Sequence, residues 1–347
     1  MNRKTKAVAA VAGVLVAATS LTACGRSSAG NASGGDEVTI MVGGIDKVIY
    51  LPAMLTQELG YFKDEGVKVK LMTEPSGASA ETELVAHQVD GVVGFYDHTV
   101  TLQAQDKCIE SVVQLAKVPG EVEMVSTKAA GSLKSPADFT GKKLGVTSPG
   151  SSTDYLTQYL ATKNGVDTKD YATVTAGAGS TFLSSMQNGG IDAGMTTDPT
   201  VEQVIQRGAG KVLLDMRTVD GTQQALGGLY PASSLYMDCG YVEKNSETVQ
   251  KVATAFVKTL GWIGSHSAAD IAAKMPKDYA GGDMDLYTKA IAASKQMFTT
   301  DGVMPDSGPR TVLDVLGTFN DQVKAKKDDI DLSKTYTTKF VDAAKSQ

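Results

Sequence analysis

Arginine is scarce in this chain of 347 residues, where Arg3, Arg26, Arg207, Arg217 and Arg310 are the whole complement. A surface that reads phosphates or guanine edges through guanidinium forks has almost nothing to build on. The formal net charge of −6 and the pI near 5.2 agree in excluding a nucleic-acid binder. Cysteine is rare as well. Cys24, Cys108 and Cys239 are too few and too dispersed for a disulfide-dense scaffold or a structural zinc cluster. His87, His98 and His266 have no metal-ligand spacing, so neither a metal nor a cofactor is expected. No Gly-x-Ser-x-Gly, His-Glu-x-x-His or phosphate-binding P-loop occurs, and Gly177-Ala178-Gly179-Ser180-Thr181-Phe182 lacks the third glycine of a dinucleotide fingerprint. The chain is therefore not expected to be an enzyme. What remains is a globular composition, 42% hydrophobic and 21% charged, long enough for about two domains of ordinary size.

The first residues read as an address. Arg3, Lys4 and Lys6 precede an apolar run, Ala7 to Ala18, that is too short for the roughly twenty residues a bilayer span needs. Leu21-Thr22-Ala23-Cys24 then resembles the bacterial lipobox, in which the cysteine becomes the lipidated first residue of the mature protein. That resemblance implies a signal peptide over 1–23, lipidation of Cys24 and an extracytoplasmic protein anchored to the cell membrane. Residues 24–37 are rich in Gly, Ser and Ala and read as a flexible tether. Removal of Arg3, Lys4 and Lys6 takes the formal charge from −6 to −9, which pushes the body away from anionic headgroups. In an oxidising compartment Cys108 and Cys239 either pair or remain as two buried thiols.

From Val38 onward, short β-branched runs alternate with helical stretches, the grammar of a parallel α/β sheet. Gln88-Val89-Asp90-Gly91-Val92-Val93-Gly94 and Gly190-Ile191-Asp192-Ala193-Gly194-Met195 repeat one pattern of helix, turn, Asp and strand. The repeat points to two similar lobes, with Asp90 and Asp192 satisfying turn amides. From Ser246 the chain is helical almost to its end, and such a tail is expected to pack back on the first lobe. The expected division is 38–125 with 229–347 for lobe 1 and 126–228 for lobe 2, joined by two crossing strands acting as a hinge.

Several stretches in order carry a likeness: Leu51-Pro52-Ala53, Glu58-Leu59-Gly60-Tyr61-Phe62-Lys63-Asp64-Glu65-Gly66-Val67, Val89-Asp90-Gly91, Phe139 to Val146, and Gly190-Ile191-Asp192-Ala193. With them the mature chain resembles the SsuA/THI5-like substrate-binding proteins of ABC transporters, the nitrate, sulfonate, taurine and thiamine-precursor group. The resemblance implies a type II periplasmic-binding fold in which two α/β lobes close on a small ligand. It further implies a monomer that delivers its ligand to a membrane permease with a cytoplasmic ATPase, or a ligand-sensing lipoprotein without transport. Two enzyme branches share the fold, a pyrimidine synthase relying on a cysteine-rich iron motif and a desulfinase relying on a cysteine nucleophile. The three dispersed cysteines supply neither.

Ligands of open α/β sheets bind beyond the carboxyl ends of strands. The loops there put Gly44 and Ile45 (beside Lys47), Tyr96, Asp97 and His98, Ser148, Gly150, Ser151 and Ser152, and Thr196 and Asp198 at the expected cleft, with Tyr50 and Tyr230 as further walls. Ser148 to Thr153 reads either as a neutral anion site at a helix start or as a cap for that helix. Tyr96-Asp97-His98 reads either as an aromatic and acceptor pair for an amino-bearing ligand or as a packed turn in which Asp97 caps its helix.

Overall fold

Two five-stranded sheets of identical topology carry the molecule, whose computed structural model describes residues 37–346. The expected signal peptide, Cys24 and nearly all of the expected tether lie outside those residues. The strands are β1 (Glu37–Val42), β2 (Lys68–Thr73), β3 (Gly91–Phe95), β4 (Ile109–Gln114), β5 (Glu121–Ser126), β6 (Lys143–Val146), β7 (Ala172–Thr175), β8 (Ala193–Thr197), β9 (Gly210–Asp215) and β10 (Ser233–Asp238). The first sheet runs β2-β1-β3-β10-β4 and the second β7-β6-β8-β5-β9. In each, four strands run parallel and one returning strand, β10 or β5, lies antiparallel between its neighbours. This is the two-lobed, mixed α/β periplasmic-binding architecture.

The sequence repeat has a matching physical basis. Asp90 Oδ2 accepts the Thr39 N–H at 2.8 Å, and Asp192 Oδ2 accepts the Lys143 N–H, also at 2.8 Å. Each aspartate therefore ties the turn before one strand to the start of its parallel neighbour. Glycine is needed inside β3, because a Cβ on Gly94 would lie 2.7 Å from the Tyr236 hydroxyl of the adjacent β10.

One boundary differs from the expectation. The division expected from the sequence puts residues 121–125 in the first lobe, but β5 pairs in the second sheet, so the chain crosses between Gln114 and Glu121. Its alternating Glu-Val-Glu-Met pattern gives no sign of a central strand. The other crossing, Gly227 to Ala232, leads into β10.

The helical tail packs on the first lobe, helix Ser246–Ser265 lying on Leu51–Glu58, Tyr61–Asp64 and β4. It also reaches across. Helix Gly308–Phe319 touches both Asp97–Gln103 and Ser152–Lys163, and Met284–Ser294 touches Thr200–Gln206 of the second half. A single apolar cluster accordingly runs from β1 through the tail to Leu144 and Leu156. Among the described residues no helix is long and apolar enough to cross a membrane.

Candidate functional site

The strand ends of the two sheets face one another across a cleft that is closed. Asp97, the first residue of helix Asp97–Gln103, is fully buried and accepts from Ser152 Oγ of the second half at 2.9 Å and from the Tyr230 hydroxyl at 2.8 Å. Val48 N donates to Asp198 O at 2.9 Å, and Ser294 Oγ donates to Asp198 Oδ2 at 2.7 Å. One aspartate from each half thus holds the other half in place. The space left between them is about 20 Å³ and is bordered by Lys47, Tyr50, Gly77, Glu121, Thr147, Ser151 to Thr153, and Thr196. That is room for about one water molecule, so any larger ligand requires the halves to part.

The Gly43-Gly44 pair positions the lysine. Gly44 has φ of 112° and a Cβ there would fall 2.7 Å from Lys47 Nζ, so glycine lets the side chain fold back into its own loop. Nζ donates to Gly43 O at 2.7 Å and Pro75 O at 3.0 Å, which uses two of its three protons. Burial lowers its pKa to about 8, against the raising influence of Asp46 and Glu121.

Serine and threonine hydroxyls at the start of helix Ser152–Lys163 are spent internally. Ser151 Oγ donates to Ser148 O at 2.6 Å, Ser152 Oγ to Asp97, and Thr153 Oγ1 bonds Ser151 Oγ at 2.7 Å and Thr147 Oγ1 at 3.1 Å. The Gly150 N–H goes to Asp154 Oδ2 at 2.9 Å. Ser151 is the residue before the helix, yet its side chain makes no capping bond.

A family model described as NMT1/THI5 like matches residues 49–269, more than half of the chain. The chain belongs to the NMT1/THI5-like family. Among its relatives is the 4-amino-5-hydroxymethyl-2-methylpyrimidine phosphate synthase of Aspergillus parasiticus, 26% identical over 67% of this chain and 68% of that one. A solved structure from Bordetella bronchiseptica RB50 is 33% identical, with a TM-score of 0.85 over 89% of this chain and 97% of the other. The periplasmic nitrate-binding protein NrtA of Synechocystis PCC 6803 shares the fold at 13% identity, with a TM-score of 0.69 over 91% of this chain and 90% of that one.

Within this NMT1/THI5-like fold the expected residues separate into three groups. Tyr50, Ser151, Ser152 and Thr196 border the cleft, and Asp97 and Tyr230 are joined by a bond just behind Ser152. Tyr96 does not reach it. Its hydroxyl bonds Thr335 and its ring meets Tyr336 edge-on at 6.3 Å, on the side of the C-terminal tail. His98 is also withdrawn, its Nδ1 lying against the Glu81 carboxylate and its Nε2 3.6 Å from Asp97 Oδ1, with neither nitrogen in good hydrogen-bonding geometry. Gly44, Ile45, Ser148, Gly150 and Asp198 shape the loops around the cleft without bordering that space. Asp198 instead takes Arg217 Nη1 at 3.0 Å, and Arg217 is further occupied by Asp215 at 2.7 Å and Glu202 at 3.4 Å. The arginine that no cleft loop contains therefore arrives from beyond β9, already neutralised.

Two glutamates join the site without a signal in the sequence. Glu121, at the start of β5, is 2% exposed and borders the cleft, and its Oε2 has no partner. Glu123, one pleat behind, is fully buried with neither oxygen paired. Burial pushes both carboxyls well above the usual carboxylate range. Burial also raises Asp97 and Asp198, while for His98 the fall due to burial is outweighed by Glu81 and Asp97, leaving it raised.

These directions have one sign. Asp97, Glu121, Glu123, Asp198 and His98 each hold a proton more tightly in the folded chain than in the unfolded one. Their contribution is complete at acid pH and is lost as pH rises through the raised values. Lys47 acts oppositely, since between about 8 and 10.5 the unfolded chain holds the extra proton and stability is regained. The melting temperature should therefore decline from about pH 5 to about pH 8. Glu123→Gln should raise the melt at the alkaline end of that range and change it little at the acid end, as followed by calorimetry at the two pH values. A gain equal at both would contradict the burial of this charge.

Proposed function

We propose that this chain is the solute-binding component of an extracytoplasmic ABC importer, tethered by a lipid on Cys24 and capturing a small organic or inorganic ligand between its lobes. The bond pattern at Asp97 carries the reading. A buried carboxylate of the first half that is satisfied by Ser152 of the second and by Tyr230 beside the crossing is a latch made only when the halves meet. A ligand in the cleft stabilises the closed state by its differential affinity for it, and the permease reads closure. A nitrate-binding neighbour of the same fold supports a small-molecule ligand.

The named relative from Aspergillus parasiticus favours a second reading, an enzyme that forms a pyrimidine phosphate. Against thiol or iron–sulfur-type chemistry at a cysteine stands the Cys108–Cys239 disulfide, which leaves no free thiolate among the described residues. A thermal-shift panel of taurine, alkanesulfonates, nitrate and thiamine-type pyrimidines tests the binding reading. Stabilisation should follow RT ln(1 + [L]/Kd), about 2.7 kcal/mol at a hundredfold excess over Kd. A melt unmoved by every member would overturn the ligand class. An adjacent permease and ATPase in the genome would favour transport over a ligand sensor, and formation of the pyrimidine phosphate would favour the enzyme.

A further inference from the structure

A second open space, far roomier than the cleft, lies beside the first crossing between the sheets. Its volume is about 560 Å³, against about 20 Å³ for the closed cleft, and falls within the roughly 300–1,000 Å³ of small-molecule sites. Its walls come from three places. Lys117 stands on the crossing itself, Val219 and Asp220 begin helix Val219–Leu226 of the second half, and Ile263 and Lys295 belong to the helical tail. Main-chain bonds fix the tail to the crossing here: Lys117 N donates to Met297 O at 2.9 Å, Thr299 N donates to Leu115 O at 2.8 Å, and Phe298 bridges Ala116 antiparallel. Lys117 is thereby held beside the turn Lys295–Met297.

The walls pair charge with apolar surface. Lys295 Nζ gives one proton to His266 O and keeps two, and Lys117 Nζ has no protein partner among the described residues. Against these two ammonium groups stands one carboxylate, Asp220, which is exposed on the rim and screened by solvent. The local excess is positive. Ile263 and Phe298 are buried and Val219 half-buried, so the same cavity presents an apolar wall. A bare inorganic anion would leave that wall wet, and an uncharged apolar molecule would leave the ammonium groups unused. From this pairing we infer that the cavity beside the first crossing is a second ligand site, separate from the cleft, for a small carboxylate on an apolar body, its oxygens on Lys117 and Lys295 and its carbon body on Val219, Ile263 and Phe298. The inference goes beyond the solute-binding reading and does not rest on it.

Trp262, the chain's only tryptophan, reports on this site. It precedes Ile263, and its ring stacks at 3.9 Å on His266, the residue whose carbonyl holds Lys295. Fluorescence titration near neutral pH and at one ionic strength compares three probes: cyclohexanecarboxylate, cyclohexanecarboxamide, which keeps the shape without the charge, and acetate, which keeps the charge without the ring. The ring carboxylate should move the Trp262 emission saturably, with a Kd at least about tenfold below that of either comparison compound. Lys117→Met should weaken it several-fold, and Lys117→Arg should retain most of the affinity. Asp97→Ala, altered at the cleft, should leave this titration unchanged. The amide or acetate bound as tightly as the ring carboxylate, or no saturable response to any of the three, would overturn the inference. So would a Kd unchanged in Lys117→Met, and a response lost in Asp97→Ala would place the carboxylate in the cleft instead. If Lys117→Met does not fold, the ratio of carboxylate to amide in the unaltered chain, together with Asp97→Ala, decides. None of these outcomes touches the solute-binding reading, which the thermal-shift panel tests separately.

Discussion

Replacing Asp97 by Ala should weaken ligand binding by about a hundredfold or more, with the fold retained. Hydrogen bonds to a charged group contribute about 1.5–3 kcal/mol each, and Asp97 accepts two, from Ser152 and Tyr230. Losing both costs the closed state roughly 3 kcal/mol or more, which is more than two factors of ten in an equilibrium constant. If only the closed state grips the ligand, that loss appears in the apparent Kd. Asp97→Asn keeps an acceptor for one of the two donors and should fall between. Titration with whichever probe stabilises the unaltered chain gives the comparison. A Kd for Asp97→Ala within twofold of the parent would mean that the latch has no part in binding.

The second large effect concerns the disulfide. Cys108 and Cys239 are joined, settling what their spacing in the sequence leaves open. They stand just before β4 and just after β10, where Ile109 and Asp238 are paired neighbours, and the Cys239 N–H donates to Cys108 O at 3.0 Å. The bond closes a loop across a separation of 131 residues that contains the whole second sheet. In the chain-entropy account a loop of that length is worth about 4–5 kcal/mol. The Cys108→Ser, Cys239→Ser double variant should melt on the order of 10 °C lower by calorimetry, at about 2–4 °C per kcal/mol for chains somewhat smaller than this one. Its ligand affinity should be nearly unchanged, because the bond lies at the end of β10 away from Ser233, which pairs with Phe95 two residues before Asp97. A melt within two or so degrees of the parent would show that the first half is held together without the bond.

How far the sequence reveals this molecule depends on which physical signal each part leaves in it. The duplicated Asp turns are visible because a strand start needs its amide satisfied in the same way in both sheets. Helices such as Ala268–Lys274 are visible from their caps, and Ser267 and Asp270 form the reciprocal pair. β5 escapes recognition as a central strand because charged residues at alternate positions ordinarily mark a solvated strand face. Here both glutamates are covered, and what packs on a strand's face cannot be read from the strand's own residues. Glu121 is hidden as a cleft residue for the same reason. Tyr96 and His98 are expected at the cleft beside Asp97, yet neighbouring residues at a strand end diverge, and only Asp97 turns toward Ser152. The loop from Ser148 to Thr153 is legible as a loop, but the bonds that commit the Ser151, Ser152 and Thr153 hydroxyls are not, because composition does not show to whom a hydroxyl donates. Arg217 is invisible as a partner of Asp198, because the two lie 19 positions apart and meet only through the fold.

Small-angle scattering of the chain, alone and with a probe that raises its melt, bears most directly on closure around a ligand. Closure of this kind predicts a free chain with a radius of gyration larger than that of the closed structure, falling to the closed value when the probe binds. The same radius in both states, under conditions where titration shows the site filled, would contradict it.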